Sequence, residues 1–252
     1  PGAPERAGTS LPNMSSANSV TVKRGGLLNI HDNLAGATGF ADNRFGSTGE
    51  RPALVLDGGS FTITGPNVAV ETINTFGPLS IASGVPVLTV TRTHASATPV
   101  FIADSLSIAS GAFLTFAGTT LGTAVNIVSK VLFNTVPSMI GGGGGDGTAS
   151  ISIIPRARYG NEFVTYGANG VRALVSTEYN VVADNNINNA AATDNVKISG
   201  SSPTTLPALS VDTTINSLLL SAAANLTIPL GQKLTITSGQ LHSFSGNNSR
   251  NF

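Results

Sequence analysis

The sequence contains no cysteine and no tryptophan, and it is poor in charge. Without cysteine, neither a disulfide framework nor a thiolate metal site can form. Charged residues make up 10% of the chain, against about 25% in an average globular protein. The 13 basic and 13 acidic side chains cancel, so no net field would gather nucleic acid, anionic lipid or an acidic substrate. We therefore expect no nucleic-acid partner.

Long apolar runs are absent as well. None approaches the ~18 residues that a transmembrane helix needs, so no such helix is predicted. No signal peptide opens the sequence, which begins Pro-Gly-Ala-Pro-Glu-Arg, and we expect a mature product or an excised piece. Helical periodicity is almost missing too, because Gly or Pro interrupts nearly every stretch within about ten residues.

The residues that are abundant are small or branched. Gly accounts for 29 of the 252 residues, and Val, Ile, Leu and Ala supply most of the apolar content. Disordered chains are poor in Val, Ile and Leu and rich in charge, so this composition indicates a folded chain. Short alternating runs that end at turn-forming residues predict strands and an all-β fold. These runs are Ser19–Val22, Ala53–Leu56, Phe61–Thr64, Val87–Thr91, Phe113–Phe116, Ser150–Ile154, Ile215–Leu220 and Leu234–Thr237.

A repeated hexamer is the sharpest feature of the sequence. Leu79–Gly84 recurs letter for letter as Leu106–Gly111, and Leu234–Gly239 and Phe61–Gly65 are variants of it. Alternation sends the Leu and Ile to one side of a strand and the Ser or Thr to the other. One such unit cannot bury its apolar side alone, whereas stacked units build a continuous core. The repeat therefore predicts a β-solenoid.

A β-sandwich is the alternative fold, because the sequence also holds turn pairs typical of antiparallel hairpins. These pairs are Asp57-Gly58, Asp146-Gly147 and Asn169-Gly170. In the solenoid interpretation, residues 1–18 form an irregular N-terminal segment and residues 19–183 the main repeats. Residues 184–195 form a polar loop, residues 196–241 further rungs, and residues 242–252 a polar tail.

Several segments, taken in order, resemble one known family. They are Val20–Gly26, Asn43–Gly46, Leu56–Phe61, Glu71-Thr72, Leu79–Gly84, Ile151–Pro155, Phe163–Leu174, Asn216–Leu220 and Leu234–Gly239. From about Ser19 to Leu241 the chain resembles the autotransporter-associated β-strand repeat proteins, which are large bacterial passenger and surface proteins. The resemblance implies a right-handed parallel β-helix on the outside of a bacterium. It also implies a role like those of characterised relatives, which include adhesins and structural surface material.

Candidate chemical sites are weak. Gly141–Asp146 fits the start of a calcium-binding nonapeptide. However, Thr148 stands where a large apolar residue is needed, so a mobile loop is predicted. The histidines lie far apart, without metal-binding or triad spacing; they are His31, His94 and His242. The acids are scattered near turns without a local pair, which favours solvated turn positions over an enzyme's carboxylate pair; they include Asp32, Asp42, Glu50, Asp57 and Glu71.

One basic and aromatic block is interpreted as a cap over an irregular rung, with a carbohydrate or partner patch as the alternative. It contains Arg156, Arg158, Arg172, Tyr159 and Tyr166. The sequons are close to chance in so Asn-rich a chain; they begin at Asn13, Asn225 and Asn247.

The sequence thus predicts no catalytic residue, no cofactor and no metal. It predicts a non-catalytic, extracellular structural or adhesive segment of a secreted or surface-bound bacterial protein, with end-to-end assembly into fibres as an extension. The expected partners are other copies of the chain or flanking repeats, with carbohydrate and host or matrix surfaces as alternatives. The alternative function is a β-helix polysaccharide lyase or glycoside hydrolase.

Overall fold

The computed structural model describes residues 18–32, 51–123, 128–181, 186–199, 204–221 and 224–244. Strands dominate these ranges. They are β1 (Ser19–Lys23), β2 (Leu27–His31), β3 (Ala53–Asp57), β4 (Ser60–Thr64), β5 (Glu71–Phe76), β6 (Leu79–Ser83), β7 (Val87–Thr91), β8 (Thr98–Ala103), β9 (Leu106–Ile108), β10 (Leu114–Gly118), β11 (Lys130–Phe133), β12 (Ala157–Tyr159), β13 (Glu162–Gly167), β14 (Gly170–Ala173), β15 (Asn195–Ile198), β16 (Thr204–Thr205), β17 (Thr213–Leu220), β18 (Ala224–Asn225) and β19 (Leu234–Ser243). Two 3-10 turns, η1 (Ser176–Glu178) and η2 (Ile187–Asn189), are also present.

These strands form five separate sheets in the described part of the chain. Sheet A has the order β1-β3-β6-β9, sheet B the order β2-β4-β7-β10-β12-β13-β14, and sheet C the order β5-β8-β11. Sheet D is β15-β17-β19, and sheet E is β16-β18. From β3 to β11 the chain visits sheets A, B and C in rotation, so the neighbours within each sheet come from successive visits.

Pairing in sheets A and C is parallel, and apolar residues align into columns across the strands. In sheet A, one column is Val20–Leu54–Leu79–Leu106 and the next is Val22–Leu56–Ile81–Ile108. Leu54, Leu79 and Ile81 have no exposed surface. The sequence prediction that the Leu and Ile of the hexamer share one inner side is therefore confirmed.

The predicted turn at the final glycine is present in the two identical hexamers, where Gly84 and Gly111 have φ angles of 70° and 80°, which only glycine adopts without steric cost. Gly239 has a φ angle of 67° but lies inside β19, so the strand does not turn there. Seven of the eight predicted runs lie largely in strands; Ser150–Ile154 is the exception, with isolated bridges at Ile151 and Ile153.

The structure contains two compact units. The first comprises the described residues up to Pro137, with Ala157–Gly160 and Tyr166–Ala173. Its core contains a cluster of three fully buried phenylalanines, Phe61 from sheet B and Phe76 and Phe101 from sheet C, and Phe116 of sheet B is fully buried as well. Within the cluster of three, the ring centroids lie 5.3–5.7 Å apart, the distance range of favourable aromatic pairs.

The second unit comprises Ser138–Arg156, Asn161–Thr165 and the described residues from Leu174 onward. Sheets D and E lie in it, over an aliphatic cluster that includes Val196, Ile198, Ile215 and Leu218. Between β17 and β19 the register shifts, so that Ile215 faces Ile236 but Ser217 faces Gln240; the β3–β6 pair of sheet A shifts likewise after Leu56.

The chain is all-β, but the predicted single right-handed parallel β-helix (β-solenoid) is wrong. The strands form several separate sheets rather than one coil, and sheet B is mixed. Only two residues connect β12 to β13, and only two connect β13 to β14. Neighbours joined by so short a connection must be antiparallel hairpins, which end the parallel stacking.

The β-sandwich alternative is also wrong. A sandwich is built from antiparallel strands, whereas the strand pairs of sheets A, C and D are parallel. Asp57-Gly58 does not join a hairpin, because β3 and β4 belong to different sheets. The sequence repeat was informative about neighbouring strands, but it did not reveal where the repetition stops.

Candidate functional site

The outer side of sheet B carries rows of uncharged polar side chains, which we call the threonine face. Thr-Ile-Thr in β4 and Thr-Val-Thr in β7 alternate, so Ile63 and Val90 are fully buried while the threonines point outward. Parallel pairing aligns these threonines with each other and with polar residues of β2. The two rows are Asn29–Thr62–Thr89 and His31–Thr64–Thr91.

Side-chain hydrogen bonds add to the backbone pairing on the outer sides of the sheets. On sheet B, Thr91 Oγ1 lies 3.1 Å from Thr119 Oγ1. On sheet A, Ser107 donates to Ser80 over 3.2 Å, and Ser83 donates to Asp57 over 2.7 Å. Each bond links residues of successive visits to one sheet, so it stabilises the alignment that produces the rows.

Several carboxylates in the described ranges accept a hydrogen bond from an asparagine side chain. Asp104 accepts from Asn134 and lies 3.6 Å from Arg51 Nη1, and Asp32 accepts from Asn74. Asp194 accepts from Asn180. Among the described residues, no three His, Cys, Asp or Glu side chains are grouped as metal ligands would be. Glu71 is exposed, and Asp42 and Glu50 lie outside the described residues.

The three histidines occupy unrelated positions. His31 is exposed, 2.7 Å from Asn29, and Nδ1 of His94 accepts the backbone N–H of Ser96. In the second unit, the ring of His242 packs 4.7 Å from that of Phe163.

The glycine-rich segment, which the sequence predicts to be a mobile loop, makes specific hydrogen bonds. Gly144 N donates to Ser150 O, and Gly143 N donates to Ser152 Oγ. The fully buried Glu178 carboxylate accepts the N–H groups of Gly147 and Val175 with its two oxygens, each over 2.9 Å. Sequence analysis did not single out Glu178, which ties this segment to η1.

The residues of the predicted basic and aromatic block do not form one patch, and the hydroxyl groups of its tyrosines are hydrogen-bonded to the backbone. Tyr159 donates to Gly118 O over 2.7 Å, and the Tyr166 hydroxyl bonds both the N–H and the C=O of Phe133. Arg158 stacks 5.9 Å above the ring of Phe113 rather than on a tyrosine. Arg172 donates to Ala173 O, while Arg156 is exposed.

Tyr179 is the centre of a small polar cluster in the second unit that sequence analysis missed. Its hydroxyl accepts the N–H of Phe163, and Lys197 lies 5.0 Å above its ring while binding Glu162 over 2.7 Å. Burial, and after it the adjacent Glu162 carboxylate, raises the pKa of Tyr179 far above its ordinary value. The phenol therefore stays protonated at an alkaline pH where an exposed tyrosine ionises.

A second unpredicted feature is a network of buried side-chain amides and hydroxyls in sheet D. Asn195 Oδ1 accepts from Asn216 Nδ2 over 2.7 Å and from Ser217 Oγ over 2.8 Å. Asn195 Nδ2 donates to Ile151 O, and Gln240 Nε2 donates to Ile154 O, each over 2.9 Å. These amides bind backbone carbonyls in a segment that has only isolated bridges, so their role is structural.

Of the sequons, Asn13 and Asn247 lie outside the described residues, and Asn225 ends β18. No helix in the described ranges has the length and apolar character that crossing a membrane requires. The chain matches no protein-family model, no curated protein and no solved structure.

Proposed function

We propose that this chain is a non-catalytic structural and adhesive segment of a secreted bacterial surface protein, and that the threonine face makes its adhesive contact. The observation that carries the proposal is the pair of aligned, uncharged rows on sheet B. The bacterial and extracellular assignment rests on the sequence resemblance alone.

The chemistry of the threonine face suits an uncharged, hydroxyl-rich partner such as a polysaccharide. Hydroxyl and amide groups both donate and accept hydrogen bonds, as sugar hydroxyls do. Neighbouring strands place the side chains of a row about 4.8 Å apart, so one extended chain could contact several at once. Each contact would be weak, and repetition would supply the affinity.

The carboxylate pattern supports a non-catalytic role. Glycoside hydrolysis uses two carboxyl groups facing one bond at about 5–10 Å. Asp57, Asp104 and Asp194 instead each accept a hydrogen bond from a serine or an asparagine. The Glu162 carboxylate binds Lys197, and Glu178 is fully buried and committed to backbone N–H groups.

Binding and turnover can be tested in one set of experiments. The purified chain is incubated with insoluble chitin, which is uncharged, and with immobilised pectin, alginate and peptidoglycan, which carry carboxylates, with and without calcium. We expect retention on chitin and no release of soluble products from any polymer. Replacing Thr62 and Thr89 together by valine, which removes two hydroxyls at nearly constant shape, should reduce retention. Ser107→Ala on sheet A is the matched control and should bind as the unchanged chain does.

Two results would overturn the proposal. Product release by the unchanged chain would establish an enzyme. Equal retention of the Thr62→Val/Thr89→Val variant and the control would remove the threonine face as the contact.

A further inference from the structure

The last strand of sheet A, β9, leaves one edge of the sheet apolar and incompletely covered. The inner residues Leu79 and Ile81 of β6 have no exposed surface, whereas their counterparts Leu106 and Ile108 in β9 are only partly buried. The two hexamers are identical, so the difference comes from position: β6 lies between β3 and β9, while β9 has one neighbour among the described strands.

The backbone of β9 shows which groups this edge offers. Leu79 N donates to Ser105 O and Ala109 N donates to Ile81 O, so residues 105, 107 and 109 face β6. Neighbouring residues of a strand direct their N–H and C=O groups to opposite sides. The groups of Leu106 and Ile108 therefore point to the outer edge, a ready template for another strand.

The opposite edge of sheet A, formed by β1, presents backbone groups that can pair with those of β9. Ala53 N donates to Asn18 O, so Asn18, Val20 and Val22 face β3, while Ser19 and Thr21 point outward. All pairs of sheet A are parallel. A sheet of this kind can be continued by adding β1 of one molecule beside β9 of another, with strand direction unchanged.

We infer that β9 of one copy of this chain pairs in parallel with β1 of a second copy and extends sheet A between molecules. The columns of the sheet set the register, with Val20 beside Leu106 and Val22 beside Ile108. In this register Leu106 N–H donates to the second copy's Ser19 C=O, and Ile108 N–H donates to its Thr21 C=O. A contact between two different edges is heterologous and repeats from molecule to molecule.

Sedimentation velocity over a range of concentrations measures this association in the complete chain. We expect the unchanged chain to form larger species reversibly as its concentration rises. Ile108→Lys places a charge in the joined apolar column and should keep the chain monomeric. Ser107→Lys adds the same charge to the exposed outer side of the same strand, and this control should still associate.

A second variant distinguishes loss of the contact from misfolding that Ile108→Lys could cause. Thr21→Pro removes one outward N–H at the opposite edge, where proline is tolerated, and it should also abolish association while the melting temperature stays close to that of the unchanged chain. A monomer at every concentration, or association that survives both Ile108→Lys and Thr21→Pro, would overturn the inference.

Crosslinking tests the direction of the contact. The chain has no cysteine, so Ser107→Cys and Thr21→Cys variants each carry a single thiol. The register places these two side chains opposite each other, and a short bifunctional thiol reagent should crosslink a mixture of the two variants. Crosslinking of Ser107→Cys with itself would show that β9 pairs with β9 instead. Self-association through this edge is independent of polysaccharide binding by the threonine face, so either can fail alone.

Discussion

Both compact units bury paired strands, but they use different side chains to do so. In the first unit, columns such as Leu54–Leu79–Leu106 and the cluster of Phe61, Phe76 and Phe101 form the core. In the second, an aliphatic cluster is accompanied by buried amides such as Asn195 and Gln240, which bind backbone carbonyls. Where strands repeat, the buried N–H and C=O groups of one strand bond to those of the next. Where the repetition is lost, side chains must supply the hydrogen-bond partners of these backbone groups instead.

The largest effect is expected when a charge enters an apolar column. Ile81→Asp in the first unit should lower the free energy of unfolding by about 4 kcal/mol or more, because a fully buried position would receive an unpaired carboxylate. Ser80→Asp, one residue away on the outer side, should change it by less than about 1 kcal/mol. Urea denaturation followed by circular dichroism measures both, and equal losses at the two positions would contradict the assigned register.

Ile108→Asp refines this result within the repeated hexamer. Because Ile108 is partly exposed at the edge of sheet A, its replacement should cost clearly less than that of Ile81. Sequence alone predicts similar costs for the two copies, so the difference measures the effect of a missing neighbouring strand.

An intermediate effect is expected in the amide network of the second unit. Asn195→Ala removes the acceptor of Asn216 and Ser217 and the donor to Ile151 O. Leaving these buried groups without partners should cost about 3 kcal/mol. Asn134→Ala is the control in the first unit, since Asn134 is exposed and its side chain donates to Asp104. If both asparagines prove equally dispensable in urea denaturation, the contrast between the two cores is wrong.

The smallest effect is expected from Tyr179→Phe, on the stability of the folded chain at alkaline pH. The pKa of Tyr179 is raised in the folded state, while an unfolded tyrosine titrates near pH 10. The resulting stabilisation is present below about pH 10 and is lost as the pH rises above it, because unfolding then releases a proton. The unchanged chain should therefore lose stability between about pH 9.5 and 11. Tyr179→Phe should flatten this decline, even though it lowers stability at pH 7 by removing the acceptor of Phe163 N. Parallel slopes for both proteins would contradict the assignment.

Sequence reasoning succeeded where local patterns decide the structure. Alternation placed Leu79 and Ile81 on one side, and the final glycines of the two identical hexamers, Gly84 and Gly111, take the left-handed turn conformation. It failed where long-range partners decide. Gly160-Asn161, directly after Tyr159, is a turn pair typical of a hairpin, but the sequence interpretation did not use it. Asn195 finds Asn216 only because β15 pairs with β17. The threonine face could have been recognised from Thr62-Ile63-Thr64 and Thr89-Val90-Thr91, since alternation alone exposes these threonines.

The uneven spacing of aligned strands has a consequence for how much new sequence the chain can accept. Val20 and Leu54 are partners 34 positions apart, whereas Leu54 and Leu79 are partners 25 apart, and the column remains in line. The connections between sheets absorb the difference, and lengthening such a connection costs little free energy. Segments inserted in such connections can change in length and composition while the columns keep their alignment.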